Sequence, residues 1–394
     1  MTGSLTAEER GPRVDAPGGR APAPDLARGL MLLVIALAHA PLFTVVARAP
    51  GGADAVTEVL HLLFVNNHAR SMFAFLFGYA LVQLADRRPP AESDAEVRGL
   101  IRRRGGWLIM IGFLHVALLA PVDILAGYGL VAVLFAGLLR ARDATLLRVA
   151  AGTAVPAVGL AGVLLWYPLS QGVSSYALNG FDPGARDPWA LLIERVLGWP
   201  AGLVIGVVLV LPAVILGIWA ARRRLLEQPE RHRRLLLGIG VGSTLVALAG
   251  AVPAILIQTG SWPEPTVAGV ALATFLQPLT GFVGGIGVIG FIAVAASGQR
   301  RPGLLATALQ ALGRRSLTFY LVQSVIFVAV CYPYGLGLGD RLGITGASIL
   351  AVIIWLASLL AADLMRRLGH RGPAEILLRR LVSLGGRRAS ETGQ

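Results

Sequence analysis

The 394-residue chain contains no lysine and one cysteine, and its charged residues make up only 14% of the whole, against about 25% in soluble domains. With 55% hydrophobic residues and a mean hydropathy of +0.69, that deficit excludes an ordinary soluble globular protein. A lone Cys331 excludes an intrachain disulfide and a thiolate metal site. There is no Walker motif, no Gly-x-Ser-x-Gly elbow and no His-Glu-x-x-His, so the chemistries those motifs carry are set aside. His39, His61, His68 and His115 are the residues a haem or zinc ion would use. No apolar run holds two well-separated histidines facing one pocket, so neither a metal nor a bound cofactor is expected. The formal charge of +13 does not point to nucleic acid, because the arginines stand in small clusters between apolar runs, as topology signals do.

What the chain has in quantity is apolar sequence. A helical span needs about 20 mostly apolar residues. That ruler marks ten segments, near 29–47, 60–85, 105–121, 122–140, 145–168, 199–221, 235–258, 273–296, 315–333 and 345–366. The third and fourth, split by Pro121-Val122-Asp123, should form a tight hairpin. Thirty of the 35 arginines fall in alternate connections and at the two ends, and cytoplasmic loops are where arginine accumulates. The expectation is an all-α, multi-pass bundle of about ten transmembrane helices with both termini cytoplasmic, in the cytoplasmic (inner) membrane, its partner the lipid bilayer.

Residues 1–24, polar and rich in Pro and Gly, read as a disordered cytoplasmic tail ahead of a 25–370 transmembrane domain. The 169–198 connection is long for a loop and carries Tyr176, Phe181 and Trp189, with Tyr167 and Trp199 at its flanks, which suggests interfacial anchoring and leaves room for a lid or a short surface helix. The glycines from Gly281 to Gly290 suit close helix contact. Residues 371–394 read as an amphipathic segment and a polar tail. Gly372-Pro373 ends the tenth span, and Ile376, Leu377, Leu381 and Leu384 then share a face opposite Arg379 and Arg380. This segment is expected either to anchor on the inner leaflet or to wall a substrate entrance, with Glu375 pairing an arginine such as Arg103.

Ionisable groups at membrane depth are costly, about 2.5–3.5 kcal/mol each at the bilayer centre, so those that persist mark sites. Asp25 and Arg28 are three apart and can pair. Arg28 and His39 are eleven apart, about 20° beyond three full turns, which puts them on one helix face with His39 about 16 Å deeper. His61, Asn66, Asn67, His68 and Arg70 open the second span, His115 lies in the outer half of the third, Asp123 follows at the hairpin tip, and Gln323 sits near mid-depth in the ninth. A polar chamber bounded by spans one, two, three and nine accounts for them together.

Several runs resemble one family. DLARGLMLLVIALAHA is similar to the opening Asp-x-x-Arg-Gly signature of DUF418, or YeiB-like, membrane proteins, and FAFLFGYAL to their Phe-Ser-Phe-Leu-Phe-Gly segment. RRRGGWLIMIGFLHVALLAPVDILAGYGLVAVL resembles their third and fourth spans, with His115, Asp123 and Tyr128. GRRSLTFYLVQSVI and RGPAEILLRRLVSLG resemble the closing signatures, with Gln323, Pro373 and Glu375, and extend the likeness to about residue 385. The chain departs from that pattern at His39, where an Asn is common. The family is distantly similar to transmembrane acyltransferases, and Arg28 and His39 match the Arg-x10-His of the acyltransferase-3 group. The resemblance implies transfer of an acyl group, most simply acetyl, from a cytoplasmic acyl-CoA to an envelope glycan, lipid or small-molecule acceptor. On that reading His39, His115 and Asp123 are the candidate catalytic residues. Asp25, Arg28, Arg70, Arg102, Arg103 and Gln323 are the candidate donor- or substrate-binding residues, with Arg28 and Arg102 to Arg104 holding the donor phosphates at the inner mouth by forked hydrogen bonds. A small-solute transporter or exporter using the same polar cluster is the alternative, although no paired halves are visible; a non-catalytic envelope role is a third.

Overall fold

The computed structural model describes residues 21–46, 51–89, 92–176, 187–297 and 302–391, the last seven by backbone alone. The tail up to residue 20, Arg48, Phe181, Asp182-Pro183, Arg186 and Arg300-Arg301 lie outside the described residues. The described chain is helical, with no strand: α1 (Pro22–His39), α2 (Gly52–Phe64), α3 (His68–Asp86), α4 (Asp94–Leu118), α5 (Leu125–Phe135), α6 (Asp143–Ser170), α7 (Pro188–Arg222), α8 (Arg233–Gln258), α9 (Val267–Ser297), α10 (Leu304–Gly313), α11 (Ser316–Cys331), α12 (Gly343–Arg367) and α13 (Pro373–Glu391). Short 3-10 turns, Ala40–Phe43 and Ala136–Arg140, continue α1 and α5.

Among the described residues, six helices are long and apolar enough to cross a membrane: α1 with its continuation, α6, α7, α8, α9 and α12. The bent pair α10–α11, counted once, makes a seventh. This is a multi-pass helical membrane bundle. Local chemistry sets its boundaries. α1 starts at Pro22, inside the stretch read as tail, with Pro in its first turn and Asp25 close behind. Ser93 and Glu96 form a reciprocal capping box on α4. Asp187 caps α7 by accepting from Trp189 N at 2.9 Å, so the long connection after α6 ends in a helix eleven residues before the expected span.

One expected span is broken, and another carries a bent extension. The second span divides into α2 and α3 at residues 65–67, where Asn67 takes a left-handed conformation (φ 64°), which Asn tolerates better than most side chains. The ninth is preceded by α10, which turns by 85° into α11. α10 presses on α1 at two glycines. A Cβ on Gly29 would lie 2.1 Å from Leu309 O, and one on Gly313 would lie 1.8 Å from Asp25 O, so any side chain there would push the helices apart. The α9 glycines play the packing part expected of them: Gly284 and Gly285 face His68, and Gly287 faces Ser243.

Polar ties identify two ends of the bundle. At one end, rich in arginine, Arg314 meets Asp25, Arg140 meets Asp94, and Arg222 and Arg223 meet Asp143. Tyr79 and Gln83 hold Glu227 there. At the opposite end, Val45 N bonds Gly339 O, Thr57 meets Thr345, and Arg195 reaches the Tyr332 hydroxyl. A large apolar core built on Met31, Leu32, Tyr79, Ile101, Val214 and Leu312 fills the arginine-rich half.

Candidate functional site

The arginine-rich end opens into a cavity of about 350 Å³, within the range of small-molecule sites. Among the described residues, five arginines line it: Arg28 from α1, Arg87 after α3, Arg104 from α4, Arg314 before α11 and Arg379 from α13. Glu375 is the acidic residue in the lining. Farther in, the walls turn apolar and aromatic through Phe73, Phe77, Leu108 and Leu125, and reach Tyr128 and Tyr320. Along α3 the lining runs from Arg87 to Phe73, fourteen residues and about 21 Å. The cavity is therefore a deep slot with a cationic rim, and α13 forms part of its wall. Leu378 and Val382 of α13 are buried against Leu108 of α4. Glu375 does not pair with Arg103. Its carboxylate accepts from Leu317 N at 2.9 Å, Thr318 N at 3.2 Å and Thr318 Oγ1 at 2.6 Å, which satisfies the free N–H groups at the start of α11.

At the inner end, groups from α1, α4, the 119–124 turn and α11 converge. His115 Nε2 lies 2.8 Å from Ser324 Oγ, and His115 Nδ1 lies 3.1 Å from Asp123 Oδ1, off the line of a good hydrogen bond. Asp123 is held from two other sides: Ala126 N donates to Oδ2 at 2.6 Å and the Tyr320 hydroxyl donates to Oδ1 at 3.3 Å. Gly112 gives this carboxylate its room, since a Cβ there would fall 2.3 Å from Asp123 Oδ2. The Tyr320 ring touches both histidines, with centroids 4.9 Å from His115 and 6.0 Å edge-on from His39. Tyr128 stacks on Phe73 and Phe77, and its buried hydroxyl has no hydrogen-bond partner among the described residues. The Gln323 Nε2 is likewise buried and unpartnered.

The candidate residues separate into groups. Asp25 accepts from Arg28 at 2.6 Å, as the spacing suggests, and also from Arg314 at 3.2 Å. Arg28 lines the cavity, and His39 stands beyond it against Tyr320, so the two occupy opposite ends of one α1 face. Arg102 is exposed and Arg103 half-buried, and neither lines the cavity; Arg104 does. The residues that open the second span form a network of their own at the opposite end. There His61 meets the Tyr176 hydroxyl at 2.8 Å and Ser348 at 3.0 Å, and Asn67 donates to Gln277 at 2.7 Å. Arg70 bonds Asn67 and is close enough to Tyr128 to interact with it electrostatically. The expected chamber is thus two clusters, and the one nearest the cavity draws on spans one, three, four and nine. Sequence reading missed Ser324 and Tyr320, although Tyr320, Gln323, Ser324 and Phe327 follow the i, i+3, i+4, i+7 pattern of one buried helix face.

Residues 220–385 match the family model described as "Protein of unknown function (DUF418)". The chain is 22% identical over 352 residues to "Uncharacterized protein YxaH" of Bacillus subtilis, covering 83% of this chain and 82% of that protein. It is 27% identical over 341 residues to "Uncharacterized protein YeiB" of Escherichia coli, covering 79% of this chain and 80% of that one. The family match takes in α11 and the first two-thirds of α13, and with them Tyr320, Gln323, Ser324 and Glu375.

Proposed function

This DUF418/YeiB-like membrane protein, we propose, is an acyltransferase that moves an acyl group from a cytoplasmic acyl-CoA to an envelope glycan, lipid or small-molecule acceptor. One observation carries the reading: the arginine-rimmed cavity reaches Tyr320, whose ring packs on His115 and whose hydroxyl bonds Asp123. Arginine rims suit a polyphosphate donor, because the guanidinium forks to phosphate oxygens and stays charged. Arg28, Arg104 and Arg379 would meet the phosphates, and the apolar slot between Phe73, Leu108 and Leu125 would take the thioester arm. His115 is the histidine equipped as a base, with a carboxylate at one ring nitrogen and the Ser324 hydroxyl at the other. His39, across the Tyr320 ring, would receive the acceptor.

The topology proposed with it has ten spans, formed by α1, α3 to α9, α11 and α12, with both termini cytoplasmic and the bundle in the cytoplasmic membrane. The arginine alternation and the grouping of their helix ends support this arrangement. Single cysteines at residues 182 and 229 in a Cys331→Ala background should label from opposite sides of sealed vesicles; labelling from the same side would overturn the topology. For the activity, membranes containing the full chain are incubated with radiolabelled acetyl-CoA and envelope extract. Thioester consumption above that of membranes without the protein, lost in His115→Ala and His39→Ala forms that still insert, is the expected result. Undiminished transfer in both variants would sink the catalytic assignment, and solute movement without thioester consumption would turn the reading toward transport.

A further inference from the structure

We propose that Ser324 is the covalent acyl carrier of this site, with His115 as its base and Asp123 as the carboxylate that orients His115. The inference rests on the acyl-transfer reading and adds to it a nucleophile and a two-step course. Ser324 and His115 are 209 residues apart and come from different helices, yet their polar atoms meet at 2.8 Å in a buried position. If Ser324 donates to His115 Nε2, the imidazole carries its proton on Nδ1, the nitrogen that faces Asp123 at 3.1 Å. That tautomer is the one a nucleophilic serine requires. Asp123 is fixed in turn by Ala126 N and by the Tyr320 hydroxyl.

Other serines in the bundle provide the contrast. A serine in a helix ordinarily turns its hydroxyl back to the carbonyl one turn earlier. Ser358 and Ser348 do so at 2.7 and 2.8 Å. Ser324 stands 3.5 Å from that carbonyl, on Tyr320, so its short contact is with the imidazole. Ser348 also meets a histidine, His61, but the other ring nitrogen of His61 meets the Tyr176 hydroxyl and no carboxylate. Only the Ser324 pair, among the described residues, has an acid behind its histidine and a cavity one helical turn away at Tyr320. Gln323 shares the buried face of α11 with Ser324 and has an unpartnered amide donor, the kind of group that stabilises a developing oxyanion.

The chemistry balances. Ser324 Oγ attacks the thioester carbonyl carbon while His115 Nε2 takes the hydroxyl proton. The new C–O bond replaces the C–S bond, and the leaving thiolate takes the proton from His115 and departs as the free thiol. The acceptor hydroxyl or amine then attacks the serine ester and passes its proton to His115. As the ester C–O bond breaks, that proton returns to Ser324 Oγ.

Two measurements on the full chain test this. After acid quench of a reaction with acetyl-CoA, mass spectrometry of the 316–331 segment should find the acetyl group on Ser324. Ser324→Ala should lose the adduct and about 10³-fold or more of the transfer rate, and Ser324→Cys should carry the acetyl group as a thioester cleaved by neutral hydroxylamine. Independently of any donor, a fluorophosphonate probe should label Ser324 in the wild type and fail to label Ser324→Ala and His115→Ala protein that remains monodisperse. Transfer in Ser324→Ala within about threefold of wild type would overturn the carrier and leave acyl transfer standing. Probe labelling at Ser324 without transfer from any thioester would overturn acyl transfer and leave the activated serine standing. No adduct and no probe labelling in transfer-competent protein would also overturn the proposal.

Discussion

Replacing Glu375 should loosen the junction between α13 and α11 and, through it, the cavity wall. In the native chain one carboxylate satisfies two backbone N–H groups of the first turn of α11 and the Thr318 hydroxyl, at 2.6 to 3.2 Å. A hydrogen bond to a charged acceptor contributes about 1.5–3 kcal/mol, and a negative group at a helix start adds about 0.3–1 kcal/mol. These terms do not sum, because Glu375 is only half-buried and water can replace part of what is lost. Glu375→Ala should therefore cost about 2–3 kcal/mol. Glu375→Gln should cost about 1 kcal/mol, since its amide oxygen still accepts from both backbone groups while the charge is gone. Gly372→Ala should imitate Glu375→Ala, because the added Cβ would lie 1.9 Å from Glu375 Oε2 and 2.7 Å from Thr318 Oγ1. Reversible SDS unfolding followed by tryptophan fluorescence measures the stability, and equilibrium binding of acetyl-CoA to the solubilised protein measures the wall. Because Glu375, Leu378 and Arg379 line the cavity, donor affinity should fall severalfold together with stability. A Glu375→Ala protein within about 0.5 kcal/mol of wild type, with unaltered donor affinity, would refute the reasoning.

Truncation after Arg371 should weaken donor binding in protein that still accumulates. Reduced abundance with unchanged specific activity would instead make α13 an anchor alone. Gly112→Ala should displace Asp123 and cost about 1–3 kcal/mol by overpacking, with loss of transfer. Gly106→Ala, six residues earlier on the same helix with nothing within 4 Å of the added carbon, should be neutral or stabilising by up to about 1 kcal/mol; similar behaviour of the two in thermal and transfer assays would contradict the site geometry. Glu58→Ala should free the segment around Ser174 and Ser175, whose hydroxyls, like Ser175 N and the Gln258 amide, donate to Glu58 Oε1 at 2.8 to 3.0 Å. Faster proteolysis after Tyr176 is the expected readout, and an unchanged cleavage rate would remove Glu58 as the clamp.

The sequence by itself determined that this is a helical membrane protein, because apolar runs of bilayer length admit few other solutions. It also determined the Asp25–Arg28 pair and the shared face of Arg28 and His39, because helical periodicity is local and needs no partner to be read. The hairpin from α4 to α5 was legible for the same reason, marked by Pro121-Val122-Asp123. Tertiary structure alone decided which polar groups meet. His61 and His115 look alike in the sequence, each set in apolar surroundings. The break at Asn67 sends the residues around His61 to one end of the bundle, and the 85° turn between α10 and α11 swings Ser324 onto His115. Arg104 rather than Arg102 or Arg103 lines the cavity because helix rotation is set by packing, here by Gly105 against Gly129 O, where a Cβ would come within 2.5 Å. The roles of Glu375 and Ser324 were hidden for a common physical reason: each acts through a partner dozens to hundreds of residues away, and no local pattern records a contact that only the packed bundle creates.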